Sequence, residues 1–286
     1  MPPALILALG VLGVSSASLL VRLAAEAPPF VIGAYRLAIA SAVVVPLALF
    51  SRGQARAPVP HAWRLALLSG LFLAVHLAAW IASLSYTTVA SSTVLVTTTP
   101  VMLALMPSAW RGDPLSRRAR AGVLIAFAGA AVIAAGDAGI ELGMALGDGL
   151  ALLGAAAMVG HRLTGRRLLR AGLRPMTYLA LAYPLAGMLL ASTALAAGQP
   201  LAGFSPNTYA ALAAMGLVPQ LIGHSAFNWA LSRVSAVAVS TAVTGEPVGA
   251  TLLALVFLNE VPRATTLAGA VLVLAGTYLV LREEHA

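Results

Sequence analysis

The chain has 286 residues, of which 60% are hydrophobic and 9% charged, with a mean hydropathy of +0.94. Soluble domains run near about 45–50% apolar and about 25% charged, so this composition excludes an ordinary soluble enzyme, a disordered protein and a soluble nucleic-acid binder. The net charge of +8 comes from seventeen basic residues, all arginine, against nine acidic ones, and the lack of cysteine rules out disulfides and thiolate metal sites.

At roughly 20 residues per span plus a short loop, the length accommodates about ten membrane spans. Apolar runs broken by charged or Pro/Gly-rich stretches predict them in chain order. The first, 3–24, lacks a basic leader region and a clear cleavage site, so it reads as a spanning helix rather than a signal peptide. The second, 30–50, carries Tyr35 and Arg36; the third, 63–84, His76 and Trp80. The fourth, 89–110, holds Thr93, Thr97 and Pro100, and the fifth, 119–136, Gly122 and Gly129. Spans at 147–165, 175–197, 207–231, 236–258 and 263–281 complete the set. The runs are too long and continuous for transmembrane strands, whose signature is alternation over about ten residues. An all-α integral membrane fold follows.

Arginine placement orients the spans. Fourteen of the seventeen arginines flank the even-numbered loops or the C-terminus, among them Arg52, Arg111, Arg162 and Arg174. The odd-numbered loops hold Glu26, Asp137, Glu141, Asp148 and Glu260 instead. Both termini are therefore expected in the cytoplasm, with the basic clusters touching anionic membrane lipids. Localisation in a bacterial inner membrane is the matching expectation.

The two halves align without a gap at an offset of 147. Pro28 falls on Pro175, Leu84 on Leu231, Pro100 on Pro247, Asp113 on Glu260, Gly122 on Gly269 and Gly129 on Gly276. Each half holds five spans, an odd number, so the second is inserted upside down relative to the first. This divides the chain into a repeat at 1–136, a linking outer loop at 137–146 and a repeat at 147–286. Inverted repeats of this kind build alternating-access transporters, with the substrate site near the midplane between them.

Four segments carry a more specific likeness: WIASLSYTTVASS at 80–92, GDGLALLGA at 147–155, GHSAFNWAL at 223–231 and GEPVGATLLALVFLNE at 245–260. The chain resembles tandem EamA domains of the drug/metabolite transporter superfamily along nearly its whole length. That resemblance implies ten helices in a five-plus-five inverted repeat with cytoplasmic termini. It also implies a central cavity lined mainly by helices 1–4 and 6–9, with helices 5 and 10 peripheral. Members of the superfamily move amino acids, nucleotide sugars, cations and drugs, so the likeness leaves the substrate open.

Polar residues inside spans are the candidate site. Glu246 reads as the only acidic residue within a span, and a charge there costs about 2.5–3.5 kcal/mol on insertion scales. It should face the bundle interior, either coupling protons or holding a neighbouring arginine. Arg36 either snorkels outward, pairs with Glu246 or meets a substrate carboxylate. His76 with Trp80, and His224 with Asn228, are spaced four apart and share a helix face. An aromatic ring beside hydrogen-bonding groups suits an amphipathic organic solute. Tyr35 joins this substrate-binding set. His161, near the end of its span, is less suited to bind anything. Thr97 and Pro100 recur as Thr244 and Pro247, giving matched kinks that would serve as hinges or gates, with hydroxyls covering the carbonyls that proline frees. The glycines of helices 5 and 10 are close-packing devices, and the chain acts as a monomer or a homodimer.

The expectation is a secondary transporter of small organic metabolites, an exporter of amino acids or related compounds, requiring no cofactor or metal and binding no nucleic acid. No phosphate-binding G-x-x-x-x-G-K-[ST] loop occurs, so a proton gradient or the substrate's own gradient supplies the energy. The alternatives are uptake or facilitated exchange, a non-transporting membrane subunit, and a membrane enzyme. The enzyme reading lacks a nucleophile–base pair or a carboxylate cluster.

Overall fold

A computed structural model describes residues 3–50, 62–99, 101–102, 117–138, 142–224, 226–227, 243 and 245–281. These form α1 (Pro3–Leu23), α2 (Pro29–Phe50), α3 (Ala62–Ser83), α4 (Val89–Val96), α5 (Arg117–Ala138), α6 (Leu142–Arg170), α7 (Pro175–Ala196), α8 (Pro206–Met215), α9 (Glu246–Leu258) and α10 (Ala264–Leu281). A π-helical segment, Gly216–His224, continues α8. Leu5–Leu23, Pro29–Phe50, Trp63–Ser83, Gly143–Leu169 and Pro175–Ala196 are long and apolar enough to cross a bilayer. Large apolar side chains also face outward around the molecule, with Leu12, Leu124, Val256 and Val271 each 66–70% exposed. Water would not tolerate that shell; lipid does. The chain is a multi-pass membrane protein.

Packing follows the repeat. Under exchange of α1–α5 with α6–α10, the pair α3·α6 becomes α8·α1, α3·α7 becomes α8·α2, and α4·α6 becomes α9·α1; all six contacts are present. The pairs α2·α7, α4·α9 and α5·α10 map onto themselves and are present too. The glycines supply the sense of direction. A Cβ on Gly129 would lie 2.6 Å from Gly269 O, and one on Gly276 would strike Gly122 O and come within 2.6 Å of Ala126 N. Residue numbers rise along α5 as they fall along α10, so these equivalent helices are antiparallel. Gly33 opposite Leu190 and Gly187 opposite Leu37 say the same of α2 and α7. The fold is ten transmembrane helices in two inverted five-helix repeats. The glycine faces of α5 and α10 are thus occupied by each other.

The odd-numbered turns gather at one end of the bundle. Glu26 Oε2 accepts from Ser205 N at 2.8 Å, joining the α1–α2 and α7–α8 turns. Arg22 Nη2 donates to Thr87 O at 3.0 Å and stands 3.6 Å from Glu260 Oε2, while Glu260 Oε1 accepts from Val89 N at 2.5 Å. The carboxylate therefore caps the start of α4 and ties together α1, α4 and the α9–α10 turn.

Three expectations need correction. The sixth helix runs to Arg170, beyond the expected end at 165, and takes in Arg167, which the expected span left in the following loop. It also begins before Asp148, which is not a loop residue: Asp148 is 1% exposed and accepts from Thr87 Oγ1 at 2.9 Å. Glu246 is therefore not the only carboxylate within a helix. Gly147 is needed at the same place, because a Cβ there would sit 2.8 Å from Thr87 N. Finally, the eighth span is not α-helical throughout. Pro219 lies inside its π-helical segment, and a proline without an N–H cannot complete the α pattern.

Candidate functional site

Arg36 stands at the centre, 3% exposed on the inner face of α2. Its Nε donates to Gln220 Oε1 at 2.7 Å, and its Nη1 reaches Met215 Sδ at 3.9 Å. Nη2 lies 3.3 Å from His224 Nε2. A guanidinium can only donate, so that imidazole nitrogen is the acceptor. The Arg36 Cζ also lies 5.7 Å from the centre of the Trp80 ring, within range of a cation–π attraction. Arg36 does not snorkel; the π-helical segment of α8 envelops it.

Trp80 continues the stack. His76, one turn earlier on α3, lies parallel to it with ring centres 6.3 Å apart. His76 Nδ1 is 2.9 Å from Gly154 O, and since a carbonyl can only accept, Nδ1 carries the proton. Gly154 is what lets α6 come so close: a Cβ there would be 3.2 Å from Trp80 Cβ. Trp80 is 3% exposed, and its indole Nε1 donor is buried with no partner among the described residues.

Glu246 opens α9 from the second repeat, with Ser15 Oγ on its backbone carbonyl at 3.3 Å. Its carboxylate is within electrostatic reach of Arg36 and of Arg162, without a direct ion pair to either among the described residues. His224 and His76 are coupled to the same two arginines. Arg36, His76, Trp80, His224 and Glu246, read from sequence as separate candidates, thus converge from α2, α3, α8 and α9.

Tyr35 lies elsewhere. One residue along α2 it turns away, donating to Leu201 O at 2.9 Å and packing 6.2 Å from the Tyr209 ring. There it borders an apolar cavity of about 440 Å³ between α2 and α7, lined also by Ala38, Ser41, Pro184 and Gly187. Asn228, Pro100 and Thr244 lie outside the described residues.

The proline sites are breaks rather than bends. α4 ends at Val96 with Thr97 as its C-cap, and α9 starts at Glu246 with Pro247 in its first turn. At offset 147, Thr99 matches Glu246, so both interruptions fall at the same place in the repeat. Thr97 Oγ1 donates to Thr93 O at 2.9 Å. The carbonyl that Pro100 cannot serve is that of Val96, and Thr99 Oγ1 covers it at 3.1 Å.

Sequence reasoning missed Gln220, Tyr183 and Arg162. Gln220 is 3% exposed, lies near the Tyr183 hydroxyl and holds Arg36; an amide within an apolar span, four residues before His224, was its available signal. His161 was set aside, yet it joins a buried network. Its Nδ1 is 2.9 Å from Ser69 Oγ, which lies 2.8 Å from Tyr178 Oη, binding α3, α6 and α7.

The sequence pattern of the EamA-like transporter family matches residues 1–135 and 145–282. An uncharacterized transporter of Archaeoglobus fulgidus is 27% identical over 266 residues, covering 91% of this chain and 90% of that protein. A crystal structure superposes with a TM-score of 0.66 at 21% identity, over 97% of this chain and 96% of the other, a likeness of fold. With both repeats matched, the chain belongs to the EamA-like transporter family and is a membrane transporter.

Proposed function

We propose that this transporter exports amino acids or related small metabolites across a bacterial inner membrane by alternating access, with both termini in the cytoplasm. The observation that carries the reading is the convergence of Arg36, His76, Trp80 and His224 with Glu246 from helices of both repeats. A cation, a carboxylate, a flat apolar surface and imidazole hydrogen-bonding groups are what an amphipathic zwitterion requires. Trp80 Nε1, buried without a partner among the described residues, is a donor left for a substrate oxygen or a water. Tyr35 and Asn228 complete the set, the former from the α2–α7 side. Thr97, Pro100, Thr244 and Pro247 mark the hinge positions, where interrupted helices let α4 and α9 tilt. Glu246 titrates, or pairs with an arginine, during the cycle.

Counterflow of radiolabelled solutes in proteoliposomes tests this. The panel holds aromatic, aliphatic and polar amino acids, a quaternary amine and a nucleoside. Exchange of amino acids supports the reading, and exchange of another class alone replaces it. Glu246→Gln should abolish flux driven by a pH gradient while leaving solute exchange partly intact; unchanged pH dependence removes Glu246 from coupling.

A further inference from the structure

We infer that Arg162, rather than Arg36, is the cation that grips the substrate, and that the group it grips is a carboxylate. The inference rests on the amino-acid reading above and deepens it.

Along α6, the residues that face the bundle are Asp148, Ala151, Ala155, Met158 and Val159, each at most 8% exposed. Arg162 is the next position on this stripe, and it is exposed. Exposure on a face otherwise sealed by neighbouring helices marks an opening inside the protein. Arg162 is not aimed at lipid. It is electrostatically coupled to Glu246 on α9, His76 on α3 and His224 at the end of the π-helical segment. Its place on the otherwise buried stripe, with these groups in electrostatic range on three other helices, sets Arg162 toward the space between them.

The two arginines of that space differ in what they have left to offer. Arg36 is almost wholly buried and has committed Nε to Gln220, Nη2 to His224, Nη1 to the Met215 sulfur and its flat face to Trp80. Binding a substrate would break contacts already made. Among the described residues no acceptor lies within hydrogen-bonding distance of the Arg162 guanidinium, and none of them occupies its planar fork, which suits a two-point contact with a carboxylate. Glu246, within electrostatic reach, sits where the ammonium of the same molecule is stabilised. Arg36 is then a positioning residue that fixes Trp80 and His224.

The test uses purified, reconstituted protein with phenylalanine and leucine against phenylalaninamide and leucinamide, which differ only in lacking the carboxylate. Counterflow competition and ligand-induced thermal stabilisation are both read, with succinate as a third probe. The wild type should prefer the acids over the amides by about tenfold or more, as loss of a charge-assisted contact implies. Arg162→Gln should weaken the acids to the level of the amides and leave the amides unchanged, and Arg162→Lys should recover part of the difference. An unchanged acid-to-amide ratio in Arg162→Gln overturns the inference, as does a wild type that binds amides as tightly as acids. Stabilisation by succinate that disappears in Arg162→Gln, without amino-acid exchange, upholds Arg162 as the carboxylate site and overturns the amino-acid reading instead. If Arg162→Gln does not fold, the ratio measured in Arg162→Lys decides: losing the two-point contact should bring the acid-to-amide ratio below wild type's, and a ratio equal to wild type's overturns the inference.

Discussion

Arg36 and Tyr183 meet at Gln220. They are separated by 147 residues, the offset of the repeat, and so occupy equivalent positions on α2 and α7. One repeat contributes the cation and the other a phenol at the same place. Gln220 lies between them, accepting from Arg36 Nε at 2.7 Å and placing its amide near the Tyr183 hydroxyl. The symmetry of the backbone thus carries an asymmetric pair of side chains at its centre.

Gln220→Leu should therefore destabilise the protein. It leaves a buried guanidinium nitrogen without its acceptor, a loss of about 1–3 kcal/mol. Gln220→Glu keeps an acceptor and should retain most of the stability. Thermal unfolding in one detergent, with the two variants side by side, checks the order.

The α5–α10 seam gives a second prediction. Gly129→Ala places a methyl group 2.6 Å from Gly269 O and 2.7 Å from Val273 N, both backbone atoms that cannot step aside. Overpacking of this kind costs about 1–3 kcal/mol, and Gly276→Ala should behave alike. Gly149→Ala is the control: a Cβ there meets nothing within 4 Å. Its melting temperature should stay at or slightly above that of the wild type.

Much of this was legible beforehand. The spans at 30–50, 63–84 and 175–197 fall within a residue of α2, α3 and α7 at each end, because long apolar runs ending at Pro or Ser leave little choice. Gly122, Gly129, Gly269 and Gly276 were recognised as packing positions, but which helices they joined is a tertiary fact that no local pattern carries. Asp148 and Arg162, both inside the expected span 147–165, were read only as orienting charges at its ends for one shared reason: hydropathy assigns charged residues to loops, and neither pairing with Thr87 nor facing an internal opening alters the hydropathy of a sequence. The π-helical turn was equally hidden, since Pro219 announces a disturbance without saying which register absorbs it.

The clasp formed by Arg22, Glu260 and the start of α4 should open when Glu260 is replaced. Glu260→Gln removes the ion pair at 3.6 Å and weakens the cap on Val89 N. The natural chain has no cysteine, so Ala90→Cys, at a buried position on α4, provides a single reporter. A membrane-impermeant maleimide applied to the Glu260 side should label it faster with Glu260→Gln than without; equal rates mean the clasp does not close that end.

Glu26 predicts a pH dependence at the same end. The Ser205 backbone N–H, followed by the hydroxyls of Ser205 and Thr208, holds its carboxyl below the ordinary range. A lowered carboxyl stabilises the fold above its unfolded value, and that contribution disappears as pH falls through the folded one. Acidification below about pH 4 should therefore loosen the start of α8, an effect absent in Glu26→Gln. Protease cleavage near Ser205 over an acid series provides the readout.

The reciprocal fit of Gly129 on Gly269 and of Gly276 on Gly122 bears on ancestry. In a single five-helix chain that inserted in both orientations and paired with its own inverted copy, one glycine would serve both contacts. Any mutation there would be felt twice, so such a seam resists drift. Fusing two copies into one gene lifts that constraint, and each position can then change alone. Thr99 and Glu246, at equivalent positions, differ in this way: one is a hydroxyl that covers the carbonyl of a broken helix, the other a carboxylate.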